Sequence, residues 1–236
     1  MRSSRIFNPS SKTVKDYYPE LVPGAYYHVF NRGNNRETVF FKAENYRYFL
    51  GKYAKYLSLY LDTYAYCLLP NHFHLLVRVR TLEEIHAAVA AAAAVDFPGF
   101  QNLESLPPPL PQRAEEIPKM ISNQFRICFM SYAKSINKQE NRVGSLFQKN
   151  FKRLHVHAPD YFTQLILYIH ANPQSHGIIK DYRDWPHSSY PTLLSNSPTL
   201  LQRTEVIDWF GGKESMEAKH QQYLKLKYLD AYEIED

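Results

Sequence analysis

Apolar and polar positions change their period several times along the chain, and each change predicts an element. Residues 1–22 are polar and predict an arm. Ala25–Asn31, AYYHVFN, is rich in β-formers and runs into Arg32-Gly33-Asn34-Asn35, so it reads as a strand closed by a loop. Between Lys42 and Leu61, apolar side chains recur at Tyr46, Phe49, Leu50, Tyr53, Tyr56 and Leu57, the spacing of one helical face. Asp62–Leu69 and Phe73–Arg80 predict two further strands. Pro70-Asn71 supplies the turn between them, so they should pair as an antiparallel hairpin.

Residues 86–117 break the pattern. An alanine block runs into Pro107-Pro108-Pro109-Leu110-Pro111, which predicts a helical start and then an irregular, proline-stiffened insertion. Met120–Asn137 is helical again, with Ile121, Phe125, Cys128, Phe129, Tyr132 and Ile136 on one face. Asn141–Asn150 reads as a loop and Phe151–His157 as a short strand. Pro159 suits the first turn of a helix running to about Ala171, which Pro173 should end. The tail closes with a helix around Glu214–Tyr228.

Without the insertion, this order predicts an α+β fold: an antiparallel sheet with helices packed on one face. The expected division is an arm (1–22), a domain (23–192, holding the insertion 86–117) and a C-terminal helical tail (193–236).

Composition narrows the setting. A chain of 236 residues can bury a core without covalent staples. Cys67 and Cys128 both sit in apolar stretches and read as buried free thiols, which points to a reducing compartment. The start has basic residues but no apolar run after them, and no stretch reaches the length of a membrane span. The expectation is a cytoplasmic protein with no membrane partner. The net charge of +5 is unevenly spread. From Lys119 to Val156 there are eight Lys or Arg against one acid, and from His157 onward seven against eleven. A concentrated basic segment suits a polyanion. The 19 tyrosines include rings that could stack on unpaired bases, although many must be core.

Candidate chemistry begins at Pro70–Val77, PNHFHLLV. Residues two apart on a strand point the same way, so His72 and His74 share a face that Phe73 does not. Two imidazoles so placed can share a metal ion. His155-Val156-His157 repeats the spacing, and with ten histidines in the chain spacing alone does not separate a ligand pair from hydrogen-bonded or exposed histidines. Context favours the first pair, which opens a β-forming run directly after a turn. On the helix from Pro159, Tyr168 and Asn172 are four apart and project together. The Asn172 amide oxygen can ligate a hard cation. Because Asn172 precedes a proline, Gln164 is the alternative amide, and Tyr161 is the alternative tyrosine. Arg126, Lys134, Lys138, Arg142, Lys149, Lys152 and Arg153, with Arg32 after the first strand, are the candidate phosphate contacts.

PNHFHLLV followed by Leu167–Pro173, LYIHANP, resembles the paired signature of the single-tyrosine HUH transposases, and most of all the REP-associated tyrosine transposases. Three more pieces match in order: Tyr26–Gly33, YYHVFNRG; Arg142–Gln148, RVGSLFQ; and Trp185–Tyr190, WPHSSY. The resemblance covers residues 24–192 apart from the insertion. It implies a ferredoxin-like sheet, His72, His74 and Asn172 as ligands of Mg²⁺ or Mn²⁺, and Tyr168 as nucleophile. It also implies single-stranded or hairpin DNA as partner, and a monomer or homodimer. Free tyrosine has a pKa of about 10, so only about one in a thousand is ionised at pH 7 and the nucleophile needs activation. Attack on phosphorus would give a 5′-phosphotyrosine and a free 3′-OH, and reversal with another strand would join DNA. Two alternatives remain: a non-catalytic hairpin-DNA-binding protein derived from a transposase, and a metal-dependent hydrolase of small phosphate esters. The second would not need Tyr168.

Overall fold

A computed structural model describes residues 16–94, 110–157 and 159–229. Most of the expected arm, the middle of the insertion and the last residues of the tail lie outside that range. Four strands, β1 (Tyr26–Arg32), β2 (Leu61–Leu69), β3 (His72–Val79) and β4 (Lys152–Val156), form one sheet in the order β2-β3-β1-β4. Every neighbouring pair is antiparallel. Helix α1 (Ala43–Leu57) joins β1 to β2. Helix α2 (Leu82–Ala94) is the helical start of the insertion, and α3 (Ile117–Gln139) leads into β4. Strand-helix-strand-strand-helix-strand with this sheet order is the ferredoxin-like arrangement. Element ends differ from the sequence reading by a few residues, the usual uncertainty of fraying termini.

The first face of the sheet carries Val29, Phe73, Leu75 and Val77, which pack against Phe49 of α1 and Phe125, Phe129 and Tyr132 of α3. The sequence predicted helices on one face, with a helical tail beyond. The other face is covered as well, by α4 (Pro159–Ser175), α5 (Tyr190–Leu194), α6 (Arg203–Phe210) and α7 (Lys213–Leu229). Ala65, Cys67, Leu76 and Val156 meet Leu165, Ile166, Ile169, Leu193, Val206, Phe210 and Met216 there. The reason lies in the two strands: β2 and β3 are buried at nearly every position, and strands apolar on both sides need cover on both.

Helix α4 also runs further than Pro173 suggested. The proline sits inside it, and the helix continues to Ser175. A proline forfeits only its own N–H, so one ladder bond is lost. The next turn still closes, with His176 N–H donating to the Asn172 carbonyl at 2.9 Å. Asn172 therefore keeps its helical position.

Candidate functional site

The β1–β3 register sets the site. Arg32 lies opposite His72, Phe30 opposite His74 and His28 opposite Leu76. On the other side of β1, Lys152 lies opposite Phe30. Alternation therefore places His28, Phe30, Arg32, His72, His74 and Lys152 on one face, the face that α4 crosses.

Backbone bonds fix the end of the sheet. Gly33 N–H donates to the Asn71 carbonyl at 2.8 Å, and Val39 and Phe40 both donate to the Pro70 carbonyl at 2.7 and 2.9 Å. Gln148 N–H reaches the Arg32 carbonyl at 2.8 Å and draws the Asn141–Asn150 loop alongside. Gly33 is required here, because a Cβ would stand 2.1 Å from the Glu37 carbonyl oxygen.

Three of the predicted residues, His72, His74 and Tyr168, line one cleft, and Asn172 does not line it. The His72 and His74 rings are 5.2 Å apart between centroids and nearly perpendicular. The Tyr168 ring is edge-on to His74 at 5.5 Å. Tyr168 is half-buried and lines a cleft with Phe30, Asn31, Arg32, His72, Phe73, His74, Gln148, Lys152 and His176. Among the described residues, no acidic side chain lines that cleft. Of the alternatives, Gln164 is exposed and Tyr161 is 47% exposed, and neither lines it. His155 and His157 bond each other at 2.8 Å on the edge strand, away from Tyr168's cleft.

Burial makes both cleft histidines neutral. It lowers His72 to about 3, helped by Arg32 and His176 and opposed by Asn172 beside the ring. It lowers His74 well below the usual histidine value, with further repulsion from His28 and His72. A neutral imidazole has a lone pair to give. The direction of the His72 bond follows from its partner. Asn71 Nδ2 donates to the Arg36 carbonyl at 3.2 Å, which leaves its Oδ1 facing His72 Nδ1 at 2.6 Å. His72 must donate from Nδ1, so Nε2 keeps the lone pair.

Asn172 is 1% exposed. Its Nδ2 donates to the Tyr168 carbonyl at 3.1 Å, and its Oδ1 is buried with no hydrogen-bond partner. An orphaned acceptor costs about 1–3 kcal/mol and calls for a reason. Among the described residues, no three His, Cys, Asp or Glu side chains gather as a metal group. The donor set on offer is two imidazoles and one amide oxygen, which fits a borderline-to-hard divalent ion.

The basic candidates separate by position. Arg32 and Lys152 line the cleft. Arg126, Lys134, Lys149 and Arg153 line a second groove with Phe129, Met130 and Phe151, and this groove shares Asn31 and Gln148 with the cleft. Lys138 is exposed and lines neither. Arg142 pairs with Glu37 at 2.5 Å. The Arg153 guanidinium donates to the Pro19 and Tyr18 carbonyls and tethers residues 17–19 to β4.

Two histidines escaped the sequence reading: His28, behind His74, and His176, which lines the cleft. His28 sits within a motif noted only for likeness, and its face was unassigned without a partner strand. His176 lies just past the point where Pro173 was expected to end the helix.

No family model matches the chain. A Haemophilus influenzae protein that carries the name REP-associated tyrosine transposase is 25% identical over 129 residues, 55% of this chain and 58% of that protein. The match thus spans little more than half of that relative's length. A solved structure of a REP-associated tyrosine transposase bound to a REP hairpin superposes with a TM-score of 0.50 at 15% identity, covering 80% of this chain and 89% of that one. In sequence over half its length, and in fold over most of it, the chain resembles the REP-associated tyrosine transposases.

Proposed function

We propose that this chain cuts and rejoins single-stranded DNA beside a hairpin, with Tyr168 as nucleophile. The observation that carries the reading is the meeting of Tyr168 with His72 and His74 in one cleft, lined among the described residues by Arg32 and Lys152 and by no acid. His72, His74 and Asn172 would hold Mg²⁺ or Mn²⁺. When bound, the ion polarises the scissile phosphate and offsets charge in the transition state.

Arg32 and Lys152 stand where they can receive the phosphate, and Arg32 lies directly across the strand pair from His72. The Tyr168 oxygen attacks phosphorus, the P–O3′ bond breaks, and the 3′ oxygen leaves with a proton. The product is a 5′-phosphotyrosine. Its ester keeps the bond energy, so a 3′-OH can reverse the step and join strands without a nucleotide cofactor. The second groove, continuous with the cleft and rimmed by Arg126, Lys134 and Lys149, would carry unpaired strand through phosphate contacts and stacking.

A non-catalytic hairpin binder is the second reading, favoured by the lack of an acidic ligand among the described residues. Incubation with Mn²⁺ and a hairpin-flanked single-stranded oligonucleotide tests both. The expected result is a denaturant-stable protein–DNA adduct that maps to Tyr168 and disappears in Tyr168→Phe. Hairpin binding with no adduct in either protein would sink cleavage and leave the binder.

A further inference from the structure

We infer that His28 is a positioning residue that holds His74 in the tautomer with its proton on Nδ1, leaving the Nε2 lone pair for the cleft. The inference rests on the reading of His72 and His74 as a ligand pair and deepens it.

His28 Nε2 and His74 Nδ1 are 2.9 Å apart in the buried interior of the site face. His28 is 3% exposed and His74 is 4% exposed, so water does not compete for the bond. The two residues are diagonal neighbours across β1 and β3, because His28 registers with Leu76 and His74 with Phe30. Their rings are near-parallel at 5.1 Å. The His28 ring also meets the edge of Tyr168 at 6.0 Å. One side chain thus touches both the strand-borne imidazole and the helix-borne phenol.

A bond between two neutral imidazoles can run either way. If His28 donated from Nε2, His74 would accept at Nδ1 and carry its own proton on Nε2, the nitrogen left for the cleft. A protonated nitrogen has no lone pair and cannot ligate. If His74 donates from Nδ1, Nε2 is free to ligate. His72 is already held in that second state by the Asn71 oxygen at 2.6 Å. The same use of Nδ1 in both histidines gives the pair one common ligating atom, Nε2. A partner that fixes the tautomer of a ligand histidine also raises its basicity, and its loss typically costs 10- to 100-fold in metal affinity.

The full chain with ¹⁵N-labelled histidine tests this by NMR at pH 8 without metal. The expected wild-type state of His74 is a protonated Nδ1 and an unprotonated Nε2. His28→Phe keeps a ring of similar size but has no acceptor, so His74 should move to a mixed or Nε2-protonated state. His28→Gln restores an acceptor oxygen and should restore the wild-type tautomer. Titration with Mn²⁺ alone should then weaken about 10- to 100-fold in His28→Phe and recover most of that in His28→Gln. The inference is overturned if wild-type His74 carries its proton on Nε2, or if His28→Phe leaves the tautomer unchanged. A wild-type protein that binds no Mn²⁺ would sink the ligand reading, while the metal-free tautomer still decides the role of His28.

Discussion

At the scale of single residues, spacing grouped the candidates, and the likeness of their motifs to a known family chose among them. A spacing of two put His72 and His74 on one strand face, and a spacing of four put Tyr168 and Asn172 on one helix face. The structure brings His72, His74 and Tyr168 into one cleft, with the Asn172 amide beside the His72 ring. His28 and His176 were not legible, because each depends on a neighbour far away in sequence or on a helix that outlasts its proline. The buried Asn172 oxygen leads to a sharp expectation. In metal-free protein, Asn172→Leu removes an acceptor whose burial without a partner costs about 1–3 kcal/mol, and keeps a similar shape. The lost Nδ2 bond matters little, since the Tyr168 carbonyl still has the helix ladder. Asn172→Leu should therefore hold or gain stability in urea with a chelator present, and lose the extra stability that Mn²⁺ gives the wild type. A large metal-free loss with the Mn²⁺ effect intact would remove Asn172 from the ligand set.

At the scale of elements, β4 shows how a strand divides neighbouring cations between tasks. Lys152 faces the cleft, with its ammonium 4.8 Å from the centre of the Tyr17 ring and 5.8 Å from that of Phe30. Arg153 points the other way and is spent on the Tyr18 and Pro19 carbonyls, while its N–H bonds the Tyr17 carbonyl at 2.9 Å. In the sequence both were equal members of a basic run, because a charge count does not see the alternation of a strand whose register is unknown. Their substitutions should differ in kind. Lys152→Ala should weaken oligonucleotide binding and reduce the slope of log affinity against log salt by about 1. Arg153→Ala should leave that slope nearly unchanged and instead cost stability of about 1.5–3 kcal/mol, the range for hydrogen bonds from a charged group. Salt titrations with both variants, beside their urea midpoints, separate the two. The expectation fails if Arg153→Ala lowers the slope as much as Lys152→Ala does.

At the scale of the whole molecule, the ferredoxin-like half was legible; of the second layer, α4 and α7 were legible as helices but their packing over the sheet was not. Both helices of the first face announce themselves by a clean period, and the hairpin by two β-forming runs around Pro70-Asn71. The second face is covered by α4, by the short helices α5 and α6 and by α7, and where they pack depends on partners far away in sequence. The Trp185–Tyr190 motif helps pin that layer. Trp185 Nε1–H donates to the Leu68 carbonyl at 3.0 Å, and Ser189 Oγ receives the Tyr66 N–H at 2.9 Å. From Ser189 a buried chain runs through His170 to His220 on α7. The contacts are 2.7 Å from Ser189 Oγ to His170 Nε2, 2.8 Å from His170 Nδ1 to His220 Nε2, and 2.8 Å from His220 Nδ1 to the Met216 carbonyl. With both rings neutral the carbonyl sets their direction: His220 donates to it, His170 donates to His220, and the His170 Nε2 lone pair faces Ser189 Oγ. Ser189 Oγ also lies 3.2 Å from the Tyr66 carbonyl and could turn its proton there, so what opposes a further proton on either ring is the burial of a charge. Burial accordingly lowers His220 to about 4 and His170 well below the usual value. In the unfolded chain both take a proton below about pH 6.5, so the unfolded state binds more protons and stability drops as the pH is lowered. The contribution of His220 is complete above pH 6.5 and is lost as pH falls towards 4, at a cost of about 2 kcal/mol by pH 5. His220→Gln offers an amide oxygen to His170 and does not titrate. Its urea midpoint should therefore fall less between pH 8 and pH 5 than that of the wild type, by a margin equivalent to about 2 kcal/mol. Equal pH dependence in the two proteins would mean that the α7–α4 contact is not held by neutral imidazoles.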